Sequence, residues 1–189
     1  MKHSYKLAIV ALTVGILLSA NLSAFNNSCR RAGFIDVRGN ADLDTNNDGK
    51  VTIAEVAIAN PLNNLDTLVT AVTLADEAIL ATLSDTDERL TVFAPDNEAF
   101  ANIPEAILED ILADQDVLTS VLLYHVVDGK FDPRKVWFIR SVDSLLGQDL
   151  FVKRGRSNPT VNQSNIGCNG VLTDNGYVWI IDSVLQPQF

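Results

Sequence analysis

The spacing of the apolar residues changes along the chain, and this change most constrains the fold. Over residues 52–124 apolar side chains recur mainly at helical spacing, as at Leu65, Leu68 and Val72. After Gly129 they gather in short runs bounded by turn-forming residues, which is the pattern of strands. Helices followed by strands predict an α+β domain, with a cluster of short helices packed on an antiparallel sheet.

Two local sequences add detail to this pattern. Leu90–Ala94 is rich in β-branched and aromatic residues and is closed by Pro95, so we expect a strand there. Asp174-Asn175-Gly176 is a tight-turn sequence before the apolar run Tyr177–Leu185. It predicts a turn with positive φ at the Asn-Gly pair.

The sequence pattern of residues 1–24 predicts an export signal that is not part of the fold. Two lysines precede the twelve-residue apolar run Leu7–Leu18, and small residues follow it. This run is shorter than the roughly 20 residues that span a bilayer as a helix. We therefore expect cleavage after Ala24, with Ala20 as the alternative, and a secreted or periplasmic mature chain without a membrane span.

The chain has two cysteines, Cys29 and Cys168. In an oxidising compartment these two have no other partner, so we expect one disulfide between them. Closing so long a loop contributes about 4–5 kcal/mol in the chain-entropy description, less any strain. Two separate thiols are the alternative, and a free-thiol assay on denatured, unreduced protein distinguishes the two.

The charge balance excludes several function classes. Acidic residues outnumber basic ones 24 to 14, whereas binding to duplex nucleic acid needs a basic footprint. Two cysteines and two histidines are too few for a zinc-finger or iron–sulfur site within one chain.

Residues 128–156 carry seven bases and four acids, which we interpret as solvated surface. The alternative is that Lys153, Arg154 and Arg156 contact an anionic matrix polymer.

Residues 44–55 match the pattern D-x-[DN]-x-[DN]-G-x5-E of an EF-hand calcium loop without a gap. Such a loop supplies side-chain oxygens at positions 1, 3, 5, 9 and 12, and a backbone carbonyl at position 7. Here those ligands would be Asp44, Asn46, Asp48, the Lys50 carbonyl, Thr52 and Glu55, with Gly49 at the sharp turn.

A second interpretation of this stretch needs no metal. Thr52 and Glu55 have the spacing of a capping box that opens a helix, although this leaves the Asp44–Gly49 turn unexplained. The chain has one such loop, and the segment before it contains two glycines and is a poor helix. We expect a structural calcium ion in a lone, dockerin-like loop, within an N-terminal segment at residues 25–50.

Three segments, together with the helix Thr52–Asn60, resemble the conserved boxes of a known family. They are Thr91–Phe100, Leu123–Gly129, which contains a Tyr-His pair, and Asn175–Pro187. Their order and spacing are those of one complete fasciclin (FAS1) domain over about residues 51–187. The resemblance implies a compact sheet wedge with a cluster of helices, and a role in adhesion or association with the extracellular matrix.

The resemblance also implies a partner, either a surface or matrix protein or a polysaccharide, and a contribution of Tyr124 and His125 to binding it. The residues themselves favour a buried His125 that is hydrogen-bonded inside the fold. A calcium-dependent structural or self-assembling surface accessory protein is the alternative function.

The sequence does not favour an enzyme. A hydrolase triad needs a base, and His125 is the one histidine after the predicted leader. The sequence has no Gly-x-Ser-x-Gly nucleophile elbow and no Gly-rich phosphate loop. Carboxylates are plentiful, but no pair is set apart from the others.

Overall fold

The computed structural model describes residues 34–60, 64–135, 138–154 and 159–188. The predicted leader with its two cleavage positions, and Cys29, lie outside the described residues. In chain order the elements are β1 (Phe34–Asp36), α1 (Ile53–Ala59), α2 (Asp66–Leu74), α3 (Glu77–Ser84), β2 (Leu90–Pro95), α4 (Asn97–Ala101), α5 (Glu105–Ala113), α6 (Gln115–Tyr124), β3 (Val126–Asp128), a 3₁₀ turn (Pro133–Lys135), β4 (Arg140–Asp143), β5 (Asp149–Lys153), β6 (Thr160–Val161), β7 (Ser164–Leu172) and β8 (Gly176–Ile181).

The described strands form one sheet in the order β3-β2-β8-β7-β6-β5-β4, with β1 added along β7. The predicted α+β class is confirmed. Most pairings are antiparallel, but β1 pairs with β7, and β2 with β8, in parallel. The predicted antiparallel arrangement is therefore correct for most pairings and wrong for these two. The long chain segment between β2 and β8 crosses over and returns β8 in the same direction as β2.

The sheet curls so that its two ends approach each other. An isolated antiparallel bridge joins Val127 of β3 to Ser144, which follows β4. The backbone N–H of Leu145 also donates to the carbonyl of Val126. The end of α6 and the start of β3 therefore lie beside the loop that leads into β5.

Apolar side chains pack on both faces of this sheet. On β2, Val92 and Ala94 belong to the core under the helices, whereas Phe93 between them belongs to the core inside the curl. Alternate residues of a strand point to opposite faces, so the continuous apolar run of β2 serves both cores. Phe93 and Trp179 are completely buried inside the curl.

Most of the helices begin with a side-chain cap, and the capping residue is Thr or Asp. Thr52 and Glu55 form the predicted capping box of α1. Asp96 caps α4, since its carboxylate accepts from the N–H of Ala99. Among the described residues no single helix has the length and apolar character to cross a membrane, and the one pair that passes together, α2 and α3, is bent by 117°.

The Asn-Gly pair before β8 is not the predicted positive-φ turn. Neither Asn175 nor Gly176 is among the described residues with positive φ. Asn175 is fully buried, and its amide group makes four hydrogen bonds to four different residues: Ile53 N–H, Thr173 Oγ1, Leu83 O and Asp85 O. Gly176 is needed for close approach, because an added Cβ would lie 2.0 Å from the carbonyl oxygen of Leu90.

We expect Gly176→Ala to destabilise the domain by about 3 kcal/mol, because the clash is with backbone of a central strand. Gly147→Ala is the matched control. Gly147 has a φ of 83° but no atom within 4 Å of its added Cβ, so its cost is about 1 kcal/mol of backbone strain. Denaturant unfolding measures both variants, and equal losses would contradict the close-approach explanation.

Candidate functional site

His125 connects the end of α6 to the C-terminal segment of the chain. Its ring is buried, with Nδ1 2.7 Å from the carbonyl oxygen of Val121 and Nε2 2.9 Å from the backbone nitrogen of Leu185. The Leu185 amide can only donate, so Nε2 accepts and Nδ1 carries the proton toward Val121. The neutral ring is therefore the form that satisfies both neighbours.

Tyr124, one residue earlier, makes the corresponding connection to the opposite side. Its hydroxyl donates to the carbonyl of Asp149 at 3.1 Å and accepts from Nδ2 of Asn162 at 3.1 Å. Asn162, which has a φ of 50°, is itself paired with β5. Its Oδ1 accepts from the N–H of Phe151 at 3.0 Å, and its own N–H donates to the Phe151 carbonyl at 2.8 Å.

The two segments held by this Tyr-His pair face each other across an open groove of about 1090 Å³. We call residues 148–151 and 162–164 the hairpin wall, and residues 183–188 the tail wall. The side chain of Gln148 joins the two walls, since it donates to the Gln188 carbonyl at 2.7 Å and accepts from the Gln188 N–H at 2.9 Å. Ser164 Oγ joins them again by donating to the Ser183 carbonyl at 3.1 Å.

The lining of the groove offers binding contacts rather than a reaction centre. Among its described residues the side chains are mostly amides and hydroxyls, with the exposed ring of Phe151 and the carboxylate of Asp149. The hydroxyls of Ser164 and Ser183 donate to a carbonyl and to a carboxylate, and His125 does not line the groove. No nucleophile is therefore paired with a base in this lining.

Tyr124 and His125 thus lie beneath the groove and not on an outer surface, since they are 6% and 4% exposed. The buried, hydrogen-bonded imidazole expected from the residues alone is observed. A contribution of these two residues to partner binding stays a prediction. In this geometry both act as positioning residues, each holding one wall.

The acidic turn at residues 44–49 is stabilised by its own side chains. Both carboxylate oxygens of Asp44 accept backbone N–H groups, from Asp48 at 3.1 Å and from Gly49 at 2.9 Å. The Asn46 side chain accepts from the N–H of Asp48, the Asp48 side chain accepts from the N–H of Lys50, and Gly49 has a φ of 81°. These hard oxygens suit a calcium ion chemically.

Glu55, the predicted last ligand of the loop, is occupied by hydrogen bonds. Its Oε1 accepts from the N–H and the hydroxyl of Thr45 at 2.8 and 2.9 Å, and its Oε2 accepts from those of Thr52 at 2.9 and 3.0 Å. A carboxylate has about four lone-pair sites, so none remains for bidentate coordination. Within the described ranges no three His, Cys, Asp or Glu side chains are grouped to hold a metal. The six predicted ligands therefore do not fit a calcium ion as they are arranged.

Burial raises the pKa of Glu55, but the hydrogen bonds from Thr52 and Thr45 outweigh burial, so its pKa lies below the ordinary value. Glu55 is consequently ionised in the folded state, and it ties the acidic turn to the start of α1.

The predicted disulfide falls partly on residues that the structure does not describe. Cys168 lies half-buried on β7 and is not a free thiol. Cys29 lies outside the described residues, so the Cys29–Cys168 bridge remains a prediction.

Comparison with known proteins identifies a family match and several relatives. The sequence model of the fasciclin domain matches residues 63–187. The chain belongs to the fasciclin family. The cell surface glycolipoprotein MPB83 of Mycobacterium bovis is 36% identical over 138 residues, which cover 71% of this chain and 60% of MPB83. Protein sll1483 of Synechocystis is 38% identical over 144 residues, covering 74% of this chain and 76% of that protein.

Other relatives are matched over shorter stretches. The immunogenic protein MPB70 of Mycobacterium bovis is 37% identical over 97 residues, which cover 51% of this chain and 49% of MPB70. A fasciclin domain pair from the insect cell adhesion molecule fasciclin I matches with a TM-score of 0.47 and 23% identity, over 65% of this chain and 45% of that one. The chain spans 60% or less of the length of the mycobacterial relatives.

The family match begins after α1, whereas we predicted a fasciclin domain over residues 51–187. Ile53 and Val56 of α1 are buried in the core under the helices, so α1 packs against the same core as the matched residues. The start at residue 51 remains a prediction.

Sequence reasoning missed the side chains that line the groove of this fasciclin domain. Phe151, Gln163 and Gln186 come from β5, the turn after β6, and the C-terminal segment. No spacing rule joins such positions, because folding alone brings them together. The available signal was the Tyr-His pair, which marks the place beneath the groove where both walls are attached.

Burial lowers the pKa of His125 to about 4, although the hydrogen bond to Val121 acts in the opposite direction. Between pH 6.5 and 4 the unfolded chain therefore binds a proton at this residue and the folded chain does not. The contribution of the neutral His125 ring to the free energy of unfolding is complete above pH 6.5. It falls by about 3 kcal/mol as the pH drops to 4.

We expect His125→Gln to remove this part of the pH dependence, because glutamine stays neutral and still donates and accepts. Urea unfolding of both proteins between pH 7 and 4 measures the difference, and the carboxylates common to both cancel. If the unfolding free energies of the two proteins changed with pH in the same way, the assignment of this pH dependence to His125 would be contradicted. If the variant does not fold, NMR titration of the wild-type imidazole decides, and a pKa near 6.5 would contradict it equally.

Proposed function

We propose that this fasciclin family member is an exported adhesion module that holds a partner at a cell surface or in an extracellular matrix. The observation that carries the proposal is the open groove above the Tyr-His pair, where the described lining residues offer binding contacts and no paired reaction groups. The name of the mycobacterial relative, a cell surface glycolipoprotein, supports a surface location. The predicted signal at residues 1–24 supports export, either by secretion or into the periplasm.

The proposal assigns no catalytic role to the chain. Its partner is a surface or matrix component, either protein or polysaccharide, and the net charge of −10 does not favour nucleic acid.

A binding assay on the whole mature chain tests this function. Labelled protein is incubated with cells of the producing organism and with their extracted extracellular matrix, beside an exported protein of similar size and charge. We expect saturable binding that unlabelled mature chain displaces and the control protein does not. Binding equal to that of the control on both surfaces would contradict the proposal.

We further propose that the loop at residues 44–55 responds to calcium. The predicted ligands are Asp44, Asn46, Asp48, the Lys50 carbonyl, Thr52 and Glu55. They are not arranged for calcium in the structure, so binding would require Glu55 to turn away from Thr45 and Thr52. The support is the unbroken sequence pattern and the hard-oxygen donor set. Since Glu55 is occupied by Thr45 and Thr52, calcium has to compete with four hydrogen bonds, and we expect affinity in the ~10⁻⁴–10⁻³ M range of extracellular sites.

Calcium titration by calorimetry and by thermal unfolding tests the loop. At a calcium concentration ten times the Kd, we expect the free energy of unfolding of the wild-type chain to rise by about 1.4 kcal/mol. A chain carrying Asp44→Ala and Glu55→Gln gains nothing, and Asp85→Asn, an exposed aspartate outside the loop, is the matched control that keeps the full gain. If the wild-type protein showed neither binding heat nor a shift in Tm on adding calcium, the calcium proposal would be contradicted.

The same titration addresses the alternative function. Self-association that appears on adding calcium, measured by sedimentation, would favour a calcium-dependent assembling accessory protein. Surface binding that chelator does not change would favour the adhesion module.

A further inference from the structure

We propose that the groove between the hairpin wall and the tail wall binds a neutral polysaccharide. The inference rests on the proposed adhesion function and names the chemical class of its partner. It is carried by the free amides of the groove, by one exposed aromatic ring on an ordered strand beside them, and by the charge of the lining.

The hydrogen-bonding capacity of the groove matches sugar hydroxyls. Gln163 and Gln186 are exposed, and within the described part of the chain their side chains make no hydrogen bond. Each amide offers two donors and one acceptor oxygen, and a sugar hydroxyl both donates and accepts. The two glutamines stand on opposite walls, so a chain lying in the groove meets one from each side.

Phe151 supplies the apolar contact. It lies in the middle of β5, and its side chain is 53% exposed. Its backbone is fixed by Asn162 on both its N–H and its carbonyl, at 3.0 and 2.8 Å. Covering a half-exposed aromatic ring removes apolar surface from water, and the C–H face of a sugar ring is a suitable cover. Because the backbone at Phe151 is already ordered, little backbone entropy is lost on binding.

The charge of the groove selects a neutral polymer over an anionic one. Asp149 is the one charged side chain among the described residues of the lining, and it is acidic. The described basic residues of the 128–154 stretch, such as Lys153, do not line the groove. An anionic polymer would meet a like charge here, whereas a neutral one meets a hydrogen-bond acceptor.

The size of the groove indicates a polymer segment rather than a single sugar. Its volume of about 1090 Å³ is at or above the range of about 300–1,000 Å³ that is usual for small-molecule pockets. The hydrogen bonds that Gln148 and Ser164 make to the tail wall brace its shape without a ligand.

Native affinity electrophoresis of the full mature chain tests this inference. The gels contain hydroxyethyl cellulose, galactomannan or dextran as neutral probes, and alginate as the anionic probe. We expect retardation by at least one neutral polymer and none by alginate. Phe151→Ala should weaken the binding at least tenfold, and Gln163→Ala should weaken it several-fold.

Phe138→Ala is the matched control, because Phe138 is 80% exposed but does not line the groove. Its retardation should equal that of the wild-type chain. The inference is overturned if no neutral polymer retards the protein, if alginate alone does, or if Phe138→Ala and Phe151→Ala have the same effect.

The cell-binding assay separates this inference from the proposed function. Binding that survives periodate oxidation of surface sugars but is lost after protease treatment points to a protein partner, which overturns the inference and leaves the adhesion function standing. Absence of any surface binding contradicts the adhesion function itself.

Discussion

Two adjacent side chains at the end of α6 hold the two sides of the groove in place. Tyr124 bonds to the hairpin wall through Asp149 and Asn162, and His125 bonds to the tail wall through the N–H of Leu185. The tail wall follows β8, far along the chain from α6. The groove therefore depends on a neutral imidazole, because a protonated Nε2 would face a backbone donor with a second donor.

The acidic turn illustrates how one sequence pattern serves two physical purposes. The residue types that ligate calcium also close turns and cap helices, because both tasks need oxygen acceptors on short side chains. In the structure Glu55 accepts four hydrogen bonds and ties the turn to α1, and Asp44 accepts two backbone N–H groups. The turn is thus held without metal, and a calcium ion would have to displace existing bonds rather than fill free sites.

Elements with a regular apolar pattern could be predicted from the sequence, and those shaped by long-range contacts could not. The capping box of α1 and the apolar run of β2 are local signals, and both elements form where expected. By contrast, β7 extends over Ser164–Leu172, although only its last two residues, Val171 and Leu172, form an apolar run. Its first half is polar and glycine-containing and carries a register shift, so its pairing with β6 and β8 decides its conformation. Asn175 was predicted as a positive-φ turn residue for the same reason, since three of its four partners, Ile53, Leu83 and Asp85, are distant in sequence.

Amide hydrogen exchange at Phe151 and Leu185 most directly tests the claim that the Tyr-His pair holds the two walls separately. The comparison uses the full mature chain and its Tyr124→Phe and His125→Phe variants, each of which removes the polar atoms of one side chain. Tyr124→Phe should speed exchange at Phe151, whose N–H donates to Asn162, because Asn162 loses its bond to the Tyr124 hydroxyl, and it should leave Leu185 near its wild-type rate. His125→Phe should speed exchange at Leu185, which loses its acceptor, and leave Phe151 near its wild-type rate. Exchange that rises equally at both amides in both variants, or at neither, would contradict the account.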